Sequence, residues 1–240
     1  MSGGAAAESS GPAKKIMTLR AKTLFITAFT LLGLIALLTT FVSTIFTGSS
    51  RQAEAQSTRQ AVRGVRGVVF ATVEQFNQKF NDWSSWDDAY SFVQNGNQEF
   101  IESNLVDESL QILNVNLMIL LDSSGHIVFG TGFDPTRGVK TPIPAALKKH
   151  LIVTDPLLRH KGINDSVAGF IMLPSGPMMI AARPIVTSEN KGPIRGTLIV
   201  GRNLNRNEIK RLSQIARLPL TILPLGGAPL PPDFQKARAT

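Results

Sequence analysis

The 240-residue chain contains no cysteine, a single tyrosine and only two tryptophans. Without cysteine it forms no disulfide and performs no thiolate chemistry, a composition compatible with an exported protein. Its three histidines, His126, His150 and His160, stand apart with no ligand-like spacing, so no metal site is expected. Ser84 and Ser85 have no histidine paired with them in sequence, which argues against a nucleophilic serine. No glycine-rich phosphate loop and no nucleic-acid-binding motif occurs. The sequence therefore predicts a non-enzymatic chain with no cofactor and no nucleic acid among its partners.

Charge is missing over one long stretch, between Lys22 and Arg51. The apolar run Thr23–Phe46 would extend about 36 Å as a helix, against a bilayer hydrocarbon thickness of ~30 Å. A cleavable signal peptide competes with this reading, because Ala53-Glu54-Ala55 offers a small-x-small site. Signal peptides carry an apolar core of only ~7–15 residues, so an uncleaved anchor in the bilayer over residues 23–46 is the better expectation. Lys14, Lys15, Arg20 and Lys22 precede the run and predict a cytoplasmic N-terminus, with the remainder outside the inner membrane. The net charge of +8 is uneven: residues 183–240 hold ten basic residues against three acidic ones. Much of that excess lies on one predicted helix and reads as a solvated face.

Both tryptophans and the tyrosine fall in Phe76-Asn77-Gln78-Lys79-Phe80-Asn81-Asp82-Trp83-Ser84-Ser85-Trp86-Asp87-Asp88-Ala89-Tyr90-Ser91-Phe92. On a helical projection centred on Phe76, Phe80 falls at about +40°, Trp83 at about −20°, Asp87 at about +20° and Tyr90 at about −40°. Val65 and Val69 lie within about 20° of the same line. One apolar stripe would then run from Val65 to Tyr90 with a carboxylate, Asp87, in its middle. A buried carboxylate costs several kcal/mol unless it is paired or hydrogen-bonded. The stripe reads either as core, with Asp87 a structural partner, or as one wall of a small-molecule pocket. Asp82 and Asp88 point elsewhere, at about −120° and about +120°, which argues against a two-carboxylate reaction centre.

Along the chain, residues 1–22 read as a cytoplasmic disordered tail, 23–46 as the membrane helix and 47–64 as a stalk. One helix is expected from about Ser49 to Val93, weakened at Gly64 and Gly67 and ended by Asn95-Gly96-Asn97. Short helical segments follow near Phe100–Leu105 and Leu110–Asn114. Val115–Leu121 and His126–Gly130 form a hairpin around Asp122-Ser123-Ser124-Gly125. A short helix Ala145–His150 precedes the strands Val167–Leu173, Pro177–Val186 and Ile194–Arg202. Asn205 caps a helix Arg206–Arg217, and Leu220–Leu225 is a candidate edge strand. Residues 226–240 form a polar tail. The layout is α+β, with five antiparallel strands covered on one face by helices and a long N-terminal helix. It is similar to PAS- and Cache-like sensor domains.

Several segments together carry a more specific likeness. They are Asp82-Trp83-Ser84-Ser85-Trp86-Asp87-Asp88-Ala89-Tyr90-Ser91-Phe92, then Asn104, then Asp122-Ser123-Ser124-Gly125-His126-Ile127-Val128. Ala182-Arg183-Pro184-Ile185-Val186 and Gly192-Pro193-Ile194-Arg195-Gly196 through Arg202 follow. In this order they resemble the fourth type of CHASE domain, over roughly Val65 to Leu225. The resemblance implies an extracytoplasmic sensor of a bacterial or archaeal signalling protein. Such domains typically sit between two membrane helices and continue into a HAMP linker and a cyclase or kinase output. After Arg217 this sequence shows no second apolar span, which leaves two expectations open: part of a longer receptor, or a single-span sensor acting through a partner. Trp83, Trp86, Asp87, Tyr90 and Arg183 are the expected ligand-binding residues. Arg183 has two readings: it contacts a carboxylate-bearing ligand, or it pairs with Asp87 or Asp88. A homodimer that binds an unidentified small molecule and signals through the stalk is the leading expectation. A structural or protein-interaction subunit without a ligand is the alternative.

Overall fold

The computed structural model describes residues 19–152, 154–223 and 234, with the backbone alone for residues 44–55. Of the expected disordered tail over residues 1–22, residues 1–18 lie outside the described residues and 19–22 are helical instead; the expected tail over 226–240, Phe234 apart, also lies outside them. Two compact units are present, residues 1–60 and 61–240.

Helix α1 runs from Leu19 to Lys79. Its segment Leu19–Ser43 is long and apolar enough to cross a membrane, beginning four residues before the sequence-based start at Thr23. Thr23, Thr27, Thr39 and Thr40 each donate a hydroxyl hydrogen bond to the carbonyl four residues back. These polar groups are thereby satisfied within the helix, as an apolar surrounding requires. Gly64 and Gly67 do not interrupt α1. A Cβ at either position would meet no atom within 4 Å outside the helix's own backbone.

The expected continuous helix to Val93 does not form. α1 stops at Lys79, α2 covers Asn81–Ser84 and α3 covers Asp87–Asn95. Trp86, at φ −141° and ψ 127°, is extended between the last two. The reason is tertiary: the carbonyl of Ser84 accepts from the Val186 N–H at 2.9 Å, and Ser85 bridges Val186 as an isolated parallel strand pair. Short hydroxyl and amide side chains at Asn81, Ser84 and Ser85 favour such a departure from the helix. Gly96, at φ 64°, closes α3 in the left-handed conformation. Two more short helices follow, α4 (Gln98–Asn104) and α5 (Asp107–Leu113).

The sheet has six strands, β1 (Leu117–Asp122), β2 (Ile127–Asp134), β3 (Val139–Thr141), β4 (Val167–Leu173), β5 (Gly176–Ile185) and β6 (Gly196–Asn203). Their order is β3-β2-β1-β6-β5-β4 and every pairing is antiparallel. Without the short edge strand β3, five antiparallel strands remain, the number expected from the sequence. The sixth strand is β3, which pairs Thr141 with Gly132. Three residues are too few to show a period. Of the proposed edge strand Leu220–Leu225, residues 220–223 are irregular and residues 224–225 lie outside the described residues.

Both faces of the sheet are covered, rather than one. Met118, Leu120, Met179, Ala181, Leu198 and Val200 pack under Phe76, Phe80, Phe92 and Phe100 from α1, α3, α4 and the turn after α1. On the opposite face, Leu117, Ile119, Ile180, Ala182 and Ile199 pack under Leu147 and Leu157. Leu147 belongs to α6 (Ala145–Lys148) in the crossover between β3 and β4. This double cover explains why Leu117–Leu121 reads as an unbroken apolar run without alternation. Helix α7 (Arg206–Ala216) begins as expected at Asn205, whose side chain accepts from the Glu208 N–H.

Candidate functional site

The tryptophan segment is built on the break between α1 and α3. Arg183, on β5, points its buried guanidinium into that break. Its Nη1 donates to Asn77 Oδ1 at 2.9 Å and to the Asn77 carbonyl at 3.3 Å. Nε donates to Ser84 Oγ at 3.1 Å, and Nη2 donates to Asn81 Oδ1. Neither Asp87 nor Asp88 pairs with it, which corrects the ion-pair reading. Burial pushes the Arg183 guanidinium below its ordinary pKa, with the charges of Glu74 and Asp82 opposing that shift.

Asp87 is exposed at the start of α3. Its Oδ1 accepts from the Ser188 N–H at 3.0 Å, and its own N–H donates to Ser188 Oγ at 3.1 Å. This reciprocal pair ties α3 to the loop after β5. Asp87 therefore does not sit in the apolar stripe, because the helical projection does not continue through Ser85 and Trp86. Beside it, Ser85 Oγ donates to Asn190 Oδ1 of the same loop at 2.9 Å.

Trp83 and Trp86 meet edge to face with ring centroids 5.9 Å apart. Trp86 also lies 5.3 Å from the Phe100 ring, which stacks on Phe92 at 4.6 Å. Trp86 thus separates two clefts. One, of about 470 Å³, is lined by Asp82, Trp83, Ser85 and Trp86. The other, of about 450 Å³, lies between α3 and α4 with Trp86 and Phe100 among its lining residues. Neither is lined by Asp87, Tyr90 or Arg183. The Tyr90 hydroxyl accepts from Arg195 Nε at 3.4 Å. Of the five expected site residues, the structure brings Trp83 and Trp86 together at open clefts. It engages Asp87, Tyr90 and Arg183 with other parts of the protein.

Comparison with known proteins is decisive at this point. The model of the CHASE4 domain matches residues 68–223. The chain belongs to the CHASE4 family. It is 30% identical over 204 residues to the methanogenesis regulatory histidine kinase FilI of Methanothrix harundinacea (strain 6Ac). That match covers 85% of this chain but 23% of FilI, so the chain spans about a quarter of that relative's length. Among solved structures, the sensor domain of the Vibrio cholerae histidine kinase DctB aligns at 15% identity and a TM-score of 0.44. The alignment covers 69% of this chain and 60% of that one. The Vibrio cholerae LuxQ periplasmic domain aligns at 14% identity and a TM-score of 0.41, over 73% and 82%. As a member of the CHASE4 family the chain is a sensor domain, and it carries a candidate membrane helix.

Within the CHASE4 domain, three polar residues escaped the sequence reading. Asn77, Asn81 and Ser84 recur at i, i+4 and i+7, a helical spacing that aligns three acceptors on one face. Such a polar line beside an aromatic stripe was the available signal for a buried cation. Arg202, on β6, donates to the carbonyls of Asn114 and Leu113 at the end of α5 and lies 5.1 Å over the Phe76 ring. Lys79 Nζ joins it on the Leu113 carbonyl at 2.7 Å. On the far face of the sheet, a cavity of about 210 Å³ is lined by Asp122, Leu158, His160 and Thr197, among others. His160 Nδ1 lies 2.9 Å from the Asp165 carbonyl and Nε2 lies 3.1 Å from Thr197 Oγ1. A carbonyl only accepts, so Nδ1 carries the proton and the neutral ring accepts from Thr197 at Nε2. Burial pushes the His160 pKa below its ordinary value, outweighing the Asp165 carbonyl and carboxylate. Among the described residues no group of three or more His, Asp or Glu is placed to hold a metal ion.

Proposed function

We propose that this chain is the input half of a longer membrane receptor, anchored in the bilayer through residues 23–46. In this reading the N-terminus is cytoplasmic and the CHASE4 domain lies outside the inner membrane. The domain binds a small molecule beside Trp83 and Trp86 and acts as a homodimer. Binding changes the position of α1, and a kinase or cyclase output reads that change. The observation that carries this reading is the placement of both tryptophans at the break in α1, with Arg183 fastening that break to β5. A ligand shifts such an equilibrium only by its difference in affinity between the two states. In this reading the break has a second packing, and the ligand binds one of the two more tightly. Asp87 and Arg183 then act by positioning the tryptophan segment, through Ser188 and Asn77 respectively.

A second reading is favoured by one observation. The polar groups of Asp87 and Arg183 are already engaged by the protein itself, as in a domain that serves partner docking without a ligand. A thermal-shift screen separates the two readings. The full chain in nanodiscs is melted with amino acids, carboxylates, amines and aromatic metabolites, beside a Trp86→Phe variant. A ligand at ~100 times its dissociation constant stabilises by about 2.7 kcal/mol. Sensing at the cleft requires one compound that raises the midpoint of the parent chain more than that of the variant. If no compound does so, the docking reading stands.

A further inference from the structure

We propose that the cleft between α3 and α4 takes an organic cation, a ligand whose ammonium or quaternary ammonium group rests on Trp86 between Asp88 and Glu99. This rests on the reading above, that the tryptophan face binds a small molecule, and names the chemistry of that molecule.

The first observation is the shape and floor of the cleft. Its volume of about 450 Å³ lies within the ~300–1,000 Å³ of small-molecule sites. Trp86 and Phe100 line it, and Trp86 is held against Trp83 on one side and Phe100 on the other. A ring fixed before the ligand arrives loses little freedom on binding. Tryptophan is also the aromatic side chain that attracts a cation most strongly, within ~6 Å of its ring centre.

The second observation is charge. Asp88 stands on the α3 wall and Glu99 on the α4 wall. Neither carboxylate makes a hydrogen bond or ion pair among the described residues. The surrounding sequence supplies no counter-charge, because residues 80–136 contain nine carboxylates and not one lysine or arginine. The nearby arginines of the C-terminal half are committed elsewhere. Arg183 is held in the helix break, Arg195 reaches Tyr90, and Arg202 binds the carbonyls that end α5. The potential in this cleft is therefore negative. It attracts cations and repels the carboxylate-bearing ligand that the sequence suggested for Arg183.

The third observation selects an organic cation over a metal ion. Calcium and magnesium require six or more oxygen ligands, or a retained water shell. An aromatic floor provides neither. Among the described residues no metal-competent group of carboxylates is assembled. Asn95 and Asn104 on the rim add amide groups for a hydroxyl or amine on the same ligand.

The test uses the full chain in nanodiscs, choline and ethanolamine as probes, and the neutral carbon isostere of choline as control. Trp86 lines the site and Trp83, the other tryptophan of the chain, packs edge to face against it, so tryptophan fluorescence reports occupancy. Saturable quenching by a probe cation is expected, with the isostere weaker by about tenfold or more. The double variant Asp88→Asn/Glu99→Gln, whose side chains are exposed and unpaired, is expected to fold normally and lose about tenfold in cation affinity. Trp86→Phe is expected to weaken the cation several-fold. Equal binding of choline and its isostere, unchanged affinity in the double variant, or no saturable binding of either cation overturns the proposal. If a neutral or anionic compound binds in a Trp86-dependent way instead, the sensing reading survives and the cation inference alone fails.

Discussion

Arg183 Nη1 stands 2.9 Å from Asn77 Oδ1, so one guanidinium on β5 holds the last turn of α1 against the sheet. The same guanidinium reaches Asn81 and Ser84, and all of its partners are neutral. The arrangement retains the full positive charge where burial disfavours it, and links the sheet to the end of α1. Replacing Arg183 by methionine keeps the volume but strands several acceptors, each costing ~1–3 kcal/mol when buried and unsatisfied. A total loss of about 2–4 kcal/mol is expected, and at ~2–4 °C per kcal/mol the melting midpoint falls by roughly 5–15 °C. Arg183→Lys should recover only part of this, since one ammonium cannot span three side chains. Fluorescence-detected melting of the full chain measures both.

Asp87 is used through one oxygen and its backbone, not through its charge. Asp87→Asn retains Oδ1 and should change stability by less than about 0.5 kcal/mol. Asp87→Ala removes the acceptor for Ser188 and should cost about 1 kcal/mol. A loss for asparagine as large as that for alanine, in the same melting assay, would mean that the negative charge itself is needed.

The strands were legible because each is a local pattern. Val167–Leu173 is an apolar run closed by Pro174-Ser175-Gly176, and its limits in the structure are the expected ones. Asn205 announced α7 in the same way. The break at Phe80–Trp86 was not legible from periodicity, because the groups that impose it are about a hundred residues away, at Arg183 and Val186. Carrying a 100° rotation through that break misplaced Asp87. The cover on the second face of the sheet escaped for a similar reason. Leu147 and Leu157 come from a crossover with little regular structure to give it a period.

His160 should make stability depend on pH. Its folded-state pKa lies below the ordinary value of about 6.5, so between the two the unfolded chain binds more protons than the folded one. The corresponding stability is fully present above about pH 6.5 and is lost as pH falls through that value toward the lowered one. Melting midpoints between about pH 7 and pH 5 should therefore fall more steeply in the parent chain than in His160→Gln. Equal slopes would place the titration elsewhere.

Two sets of glycines predict opposite outcomes. A Cβ at Gly196 would stand 2.1 Å from the Leu121 carbonyl oxygen, where β6 pairs with β1. Gly196→Ala should cost more than about 2 kcal/mol, because backbone must move. At Gly64 and Gly67 a Cβ meets nothing within 4 Å, and alanine is better in a helix by ~1 kcal/mol per site. Gly64→Ala/Gly67→Ala should stabilise α1. A destabilised double variant would indicate that a second copy packs closely on this stretch.

Signalling through α1 can be tested with the chain's own lack of cysteine. Single cysteines placed at successive positions from Gln56 to Arg63 are oxidised in the full chain in nanodiscs, with and without a compound that stabilises it in the thermal screen. A CHASE4 domain that reports through α1 requires the set of cross-linked positions to shift when the cleft beside Trp86 is filled. The shift should disappear in Trp86→Phe at the same ligand concentration. An identical cross-linking pattern with and without bound ligand would contradict transmission through this helix.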